Sequence, residues 1–366
     1  MKTALVLSGG GSRGGYEIGV CKALRQLDIE ADMVFGTSVG AITGAIIAQG
    51  DLDLAESIWR KLTTDMVFDF DEPGKKEDAE NSKDLKDSKE KSHRNPLQGK
   101  FEEITDKIKT NFDTMDIAGI SGEDAAAYLR EMVRNGGAGN SGLKAILTEH
   151  INEDAIRKSP VLYGLVATEA PHIKGHYLYE DDIPEGSLID YIMASASCFP
   201  AVQVFEIDGH KYIDGGYVDN LPIKMALDQG AERIIAVNLE AVGVVKKEHI
   251  KKAKRCCQQF HMLSPGADLG NFLVFDKDNT ARIIEIGYLE TMRYFGKFDG
   301  KKYTFEKGVF SESEIVAAER LGALVRISPC IAYNRETYLS ELLSRMEQLE
   351  AESPALLEKV LDFISA

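Results

Sequence analysis

The chain has 366 residues, 44% of them hydrophobic and 28% charged, and carries a formal net charge of −16. That length can bury a substantial core, and the acidic balance argues against a nucleic-acid partner and against strong attraction to anionic membranes. No run of 18 or more apolar residues occurs, so nothing in the sequence is expected to span a bilayer. The opening MKTALVLSGGG has one lysine and a short apolar run, which reads as a first strand rather than a secretory signal. Five cysteines (Cys21, Cys198, Cys256, Cys257, Cys330) are odd in number and lack metal-ligand spacing. They fit reduced thiols in a cytoplasmic protein.

In chain order, residues 3–8 (TALVLS) read as a buried strand, followed by the turn GGGSRGG and a helix from Tyr16 to Leu27. Met33 to Gly36 is a second short strand, leading through Ser38 into an apolar helix that ends near Gln49-Gly50. Strand, helix, strand, helix predicts an α/β fold with a mainly parallel sheet and helices on both faces. From Asp69 to Arg94 well over half the residues are charged, in nearly balanced sign. Such a segment, extending to about residue 115, is expected to be a mobile surface insertion, with a lid over an active site as the sharper alternative. A solvent-facing helix is expected at Phe101 to Lys109, and further helices at Gly122 to Asn135 and Leu143 to Ile151. Pro160 to Glu169 reads as a strand, Leu188 to Ser197 as a helix, and Gln203 to Ile207 and Lys211 to Ile213 as short strands. Leu221 to Gln229 is helical, Arg233 to Leu239 a parallel-type strand, and ARIIEIG (Ala281 to Gly287) a further strand. The last fifty-odd residues read as three helices. The division expected from this is a catalytic domain over 1–290 and a mainly helical extension over 291–366.

Ser38 sits between Gly36 and Gly40 at a strand-to-helix junction, the signature of a nucleophile elbow. The turn is so tight that the positions two before and two after the serine must lack side chains. The helix that follows aims unpaired N–H groups at the same point, favouring a negative oxygen there. The plain alternative is a helix start with Ser38 as an ordinary N-cap.

Gly9, Gly11 and Gly14 also satisfy a dinucleotide-binding spacing. That use requires an acidic residue at the end of the second strand, where Gly36-Thr37-Ser38 stand instead. If the first two strands are parallel neighbours, the loop of Gly9, Gly10, Gly11, Ser12, Arg13 and Gly14 lies beside Ser38 and offers backbone N–H groups to an oxyanion. Arg13 adds positive charge there or orders the loop.

A base remains to be found. None of the seven histidines occupies a convincing position, whereas Asp214 ends a short strand and precedes Gly215-Gly216, a pair that permits close backbone approach. A carboxylate in a dry site can accept the serine proton. An Asp-Gly turn is the plain alternative.

SGGGSRG (Ser8 to Gly14), GTSVG (Gly36 to Gly40), ASASCFP (Ala194 to Pro200) and DGGYVDNLPI (Asp214 to Ile223), in this order and spacing, resemble the patatin-like phospholipases over roughly residues 1–60 and 160–240. The resemblance implies a three-layer α/β/α sandwich and a lipid acyl hydrolase with a Ser-Asp dyad. Ser38 would be the nucleophile, Asp214 the proton acceptor, and Gly9 to Gly14 the oxyanion hole. Gly36, Gly40, Gly215 and Gly216 would support them, with Asp219 structural. It calls for no metal or cofactor, and its partner is a lipid or acyl-ester substrate met through transient contact with a membrane surface. Apolar residues of Val39 to Ala48 and Ile58 to Val67 are expected to pack the core, with an acyl pocket as the alternative use, and Trp59 is given no role. Two rivals stand beside this reading: a lipid-binding or regulatory protein of the same fold that has lost turnover, and a Ser-His-Asp esterase.

Overall fold

The computed structural model describes residues 1–69 and 137–365. β1 (Thr3–Leu7) passes through a 3₁₀ turn (Gly11–Gly14) into α1 (Gly15–Gln26), and β2 (Met33–Thr37) turns at Ser38 into α2 (Val39–Ala48). α3 (Leu52–Trp59) and the single turn α4 (Thr64–Val67) follow. Next come α5 (Ser141–His150), α6 (Glu153–Arg157), β3 (Leu162–Ala170), β4 (Lys174–Tyr179) and α7 (Leu188–Ser195). β5 (Phe205–Ile207), β6 (His210–Asp214), α8 (Ile223–Asp228), β7 (Arg233–Val237), α9 (Lys247–Cys256) and β8 (Gln259–Leu263) complete the main sheet. The remainder holds α10 (Lys277–Tyr294), β9 (Phe298–Asp299), β10 (Thr304–Glu306), α11 (Glu312–Val325), β11 (Ala332–Tyr333), α12 (Arg335–Glu352) and α13 (Pro354–Ser365). From residue 70 onward the charged insertion, and the helices expected at 101–109 and 122–135, lie outside the described residues.

The main sheet has eight strands in the order β5-β6-β3-β2-β1-β7-β8, with β4 also on β3. Its centre is parallel, β1 lying between β2 and β7, and β2 pairing with β3. β4, β5 and β6 add an antiparallel end. Every residue of β1 and β2 is buried, as a parallel centre covered on both faces requires. Leu5 and Leu7 face one side with residues of α1, α2 and α10, while Ala4 and Val6 face the other with α8 and α9. The result is the expected three-layer α/β/α sandwich. The C-terminal helices gather on a third apolar cluster built on Phe305, Tyr333 and Tyr338.

One expected strand is a helix. ARIIEIG lies inside the 18-residue α10, whose start is fixed by Asp276 accepting from Asn279 N at 2.7 Å. A seven-residue apolar run cannot be assigned by periodicity alone, and here Ile283, Ile284 and Ile286 are buried on a helix. α10 packs directly on α1 because Gly19 and Gly287 lie where the two backbones meet, and a Cβ on either would strike the other helix's main chain. β4, α9 and β8 went unread in the sequence, since their polar residues hide the periodicity of elements that bury one face only.

Candidate active site

The register of β3 explains how two distant residues come together. Along one edge, Ala167 to Glu169 pair with β4, so β6, which pairs with the same residues, occupies the opposite edge. That edge belongs to β2 as far as Thr37, which stands beside Val166. The next pair along is Ala167 with Asp214. β2 and β6 therefore meet nose to nose, with Ser38 leaving one strand end and Asp214 closing the other.

The turn at Ser38 has the strained geometry its glycines foretell. Ser38 adopts φ 55°, ψ −125°, and its side chain caps no helical N–H, which removes the ordinary N-cap reading. Gly36 and Gly40 touch, and a Cβ on Gly36 would run into the Gly40 carbonyl. Such a backbone persists only when its surroundings over-determine it. Two bonds do so. Ser195 Oγ, fully buried, accepts from Ser38 N at 2.9 Å and donates to Val166 O at 2.6 Å, and Thr37 Oγ1 donates to Asp219 O at 2.9 Å. Ser195 belongs to ASASCFP, and nothing in that pattern marks it for this task.

Asp214 is 6% exposed. Its Oδ1 accepts from Gly216 N at 2.7 Å, and the Ser38 side chain is near enough to the carboxylate to favour its charged form. Burial pushes its pKa up to about 6, against the opposing pull of Ser38 and of the Gly216 amide. Its backbone is fixed by Asp214 N donating to Ser197 O at 2.8 Å. The ASASCFP segment thus anchors both Ser38 and Asp214. Gly215 packs beneath, against Val166 O, while Gly216 lines the cavity.

The first glycine loop contributes less of itself than its six residues suggested. Gly9 N is bound to Asn220 O at 3.2 Å, Ser12 N to Phe272 O at 2.8 Å, and Arg13 N to Gly10 O at 3.2 Å. Of Gly9 to Gly14, only Gly9, Gly10 and Gly11 border the cavity, and only the Gly10 and Gly11 amides there have no acceptor among the described residues. Ser12, Arg13 and Gly14 lie behind. Arg13 orders the loop through backbone carbonyls rather than through a carboxylate, reaching Gly270 O at 3.0 Å and Leu239 O and Glu240 O at 3.4 Å. Ser8 Oγ accepts from Leu239 N at 2.9 Å, a structural use. Asn220 Nδ2 donates back to Gly9 O at 3.2 Å, so Asn220 ties the glycine loop to the Asp214 loop from both sides.

Ser38 and Asp214 open onto one cavity that is continuous with solvent. Its walls are apolar: Val39, Ile42 and Ile46 of α2, Ile58, Trp59 and Leu62, Leu143 and Leu147 of α5, and Phe272 and Phe275. Residues expected to serve the core thus also form the cavity wall, Trp59 among them, stacked on Phe275 at 6.1 Å. No histidine is among the lining residues. His176 and His210 each sit 2.8 Å from Glu169, away from Ser38. Cys198 also lines the cavity, but burial and Asp214 push its thiol well up, which keeps it protonated and weakly nucleophilic. Among the described residues no cluster of His, Cys, Asp and Glu is arranged to hold a metal, and no helix is long and apolar enough to cross a membrane.

Fold and turn together define a class: an α/β sandwich whose second strand ends in a strained elbow serine facing a buried aspartate. Residues 5–227 match the family model of the patatin-like phospholipases, and the chain belongs to that family. It is 26% identical over 250 residues to patatin-like phospholipase domain-containing protein 7 of Rattus norvegicus, covering 64% of this chain and 13% of that protein. It is 24% identical over 244 residues to the lysophospholipase NTE1 of Mycosarcoma maydis, covering 66% of this chain and 10% of the relative. The chain therefore matches about an eighth or less of the length of these relatives. Among solved structures, VipD from Legionella pneumophila aligns with a TM-score of 0.45 at 15% identity, over 99% of this chain and 79% of that one.

Proposed function

We propose that this protein hydrolyses acyl esters of lipids with a Ser38–Asp214 dyad and an acyl-enzyme intermediate. The observation that carries this reading is the buried Asp214 carboxylate, paired with one amide and bordering the same apolar cavity as Ser38. Ser38 Oγ attacks the ester carbonyl while Asp214 takes its proton. The Gly10 and Gly11 amides, helped by the positive end of α2, receive the oxyanion. Asp214 returns the proton to the leaving alcohol, and the acyl chain lies against Ile42, Ile46 and Trp59. Water, deprotonated by the same carboxylate, then attacks the acyl carbonyl, and collapse of the second oxyanion restores Ser38 and frees the fatty acid.

Family membership and the phospholipase and lysophospholipase names of the relatives support a lipid substrate. Residues 1–290 form the catalytic unit in this reading and 291–366 an extension, a division supported by the separate apolar cluster around Phe305. The test is hydrolysis of p-nitrophenyl butyrate and of lysophosphatidylcholine by wild type and Ser38→Ala. Wild type is expected to cleave both, with Ser38→Ala down by roughly 10⁴-fold or more. Equal rates in the two proteins would refute the reading.

A further inference from the structure

The match to the family model ends at residue 227, yet the cavity does not. Phe272, Leu273 and Phe275, all buried, line it from the segment between β8 and α10. That segment is bonded at both ends to parts of the site. At its start three successive carbonyls hold the glycine loop. Gly270 O accepts from Arg13 Nε at 3.0 Å, Asn271 O from Ser12 Oγ at 3.0 Å, and Phe272 O from Ser12 N at 2.8 Å. At its finish Phe275 N donates to Thr64 Oγ1 at 2.9 Å and Phe275 O accepts from Thr64 N at 3.1 Å, which fixes it to the start of α4.

Between these anchors there is little slack. Leu273 N donates to Asn271 Oδ1 at 3.0 Å and Val274 N to Asn271 O at 3.2 Å, which closes the chain into a turn. The Phe275 ring leaves it stacked on Trp59 at 6.1 Å and edge-on to Phe68 at 6.1 Å, and all three rings border the cavity. Trp59 reaches back in turn, since a Cβ on Gly14 would strike both its indole and Val39, the residue after Ser38. The aromatic wall and the glycine loop are therefore one connected body.

The contact at Gly11 is the sensitive one. Gly11 sits at φ 54°, and Phe272 O occupies the space where a Cβ would go. A displacement of Phe275 reaches Phe272 three residues away, and through its carbonyl the turn that presents the Gly10 and Gly11 amides. Donors to an oxyanion act only when held in place, and a misplacement of about 1 Å costs on the order of 10²-fold in rate. An acyl chain packed on the Phe275 ring holds that end of the segment still.

We propose that residues 270–275 form the specificity-determining segment of the active site: Phe275 seats the acyl chain and Phe272 passes that contact to the oxyanion loop, so that a longer chain raises kcat as well as affinity. This rests on the hydrolase reading and narrows the substrate to esters of medium and long fatty acids. Binding energy from the remote part of the chain is then used in the transition state, which shows as a rise in kcat rather than only a fall in KM. Acylation and deacylation both pass through an oxyanion at the same amides, so the effect appears whichever step limits turnover.

The experiment measures kcat and KM for p-nitrophenyl butyrate and octanoate with full-length wild type, Phe275→Ala and Phe275→Leu. In wild type kcat for the octanoate is expected to exceed that for the butyrate by roughly tenfold. In Phe275→Ala that ratio should fall to about one, and in Phe275→Leu, which keeps apolar bulk, to a value between the two. A merely structural defect lowers both rates together and leaves the ratio intact. An unchanged ratio in Phe275→Ala, or a wild type with equal kcat for both esters, would overturn the proposal. If Phe275→Ala does not fold, Phe275→Leu decides, with a fall of at least about threefold in the ratio expected and an unchanged ratio against it. Binding is read without turnover in Ser38→Ala, where Trp59, the only tryptophan of the chain, reports on the wall it belongs to. Its emission should change saturably with added methyl esters, the octanoate binding on the order of 10²-fold more tightly than the butyrate. Adding Phe275→Ala should remove most of that preference, and equal affinities for the two esters in Ser38→Ala would also overturn the proposal. A wild type that cleaves no ester refutes the hydrolase reading instead, and the emission titration still decides whether Phe275 selects the chain.

Discussion

Asp214 and Asp219 lie five residues apart in one loop and are both buried, at 6% and 0% exposure, yet they face opposite sides of the sheet. Around Asp219 are gathered Tyr177 at 3.0 Å, His249 at 3.6 Å and, through Tyr177, Lys246. Around Asp214 there are one amide, the nearby Ser38 side chain and an apolar cavity. A carboxylate whose Oδ2 accepts from Tyr177, itself a partner of Lys246, cross-links the loop to its neighbours. One with few partners in a dry site has its proton affinity raised toward neutrality and can exchange a proton with a substrate. The two sides of one loop thus give their carboxylates different surroundings, and the proposed chemistry needs only that of Asp214.

Neutralising each carboxylate separately is the strongest way to break that comparison. Asp214→Asn should lower kcat/KM for p-nitrophenyl butyrate by about 10²–10⁴-fold, while Asp219→Asn should stay within about tenfold of wild type and act mainly on thermal stability. Similar losses in both variants would erase the distinction. Ser195→Ala comes next. It strips the acceptor from the buried Ser38 N–H, and kcat should fall by about 10–10²-fold with KM little changed. Ser195→Thr, which keeps the hydroxyl, should recover most of the rate. If Thr is as poor as Ala, packing rather than the hydrogen bond is what matters.

A smaller effect is read from pH. Because Asp214 must be ionised to accept a proton and its pKa is raised to about 6, kcat/KM should be flat above that value. Below it the rate should decline about tenfold per pH unit. A decline centred near 4 would mean that Asp214 is an ordinary exposed-type carboxylate or is not the base. The smallest effect tests the cavity. Ile42→Trp, placed one turn beyond Ser38 on the wall, should lower hydrolysis of a p-nitrophenyl palmitate by about tenfold and spare the butyrate.

The elbow and the Asp-Gly-Gly loop were legible in the sequence because glycines betray close backbone approach, and Gly36 and Gly40 do touch. The parallel centre was legible for a similar reason, since strands buried on both faces are apolar throughout. Ser195 was not, because a buried serine serving as a hydrogen-bond relay looks like any small residue until its partners, Ser38 N and Val166 O, are placed in space. Nor was it legible that Gly10 and Gly11 alone keep cavity-side amides without an acceptor among the described residues, which depends on acceptors as distant as Asn220 and Phe272. The nose-to-nose meeting of β2 and β6 is a consequence of strand register on β3, which no local pattern encodes. The misread ARIIEIG run and the unread α9 share a cause: short or one-sided apolar patterns fit more than one period.

The most direct measurement is covalent trapping with a fluorophosphonate, followed by peptide mass spectrometry and a rate–pH profile. A single adduct is expected on Ser38, formed at a rate that rises through about pH 6 and is strongly reduced in Asp214→Asn. An adduct on another residue, or labelling of Ser38 at the same rate in the Asn variant, would contradict the account.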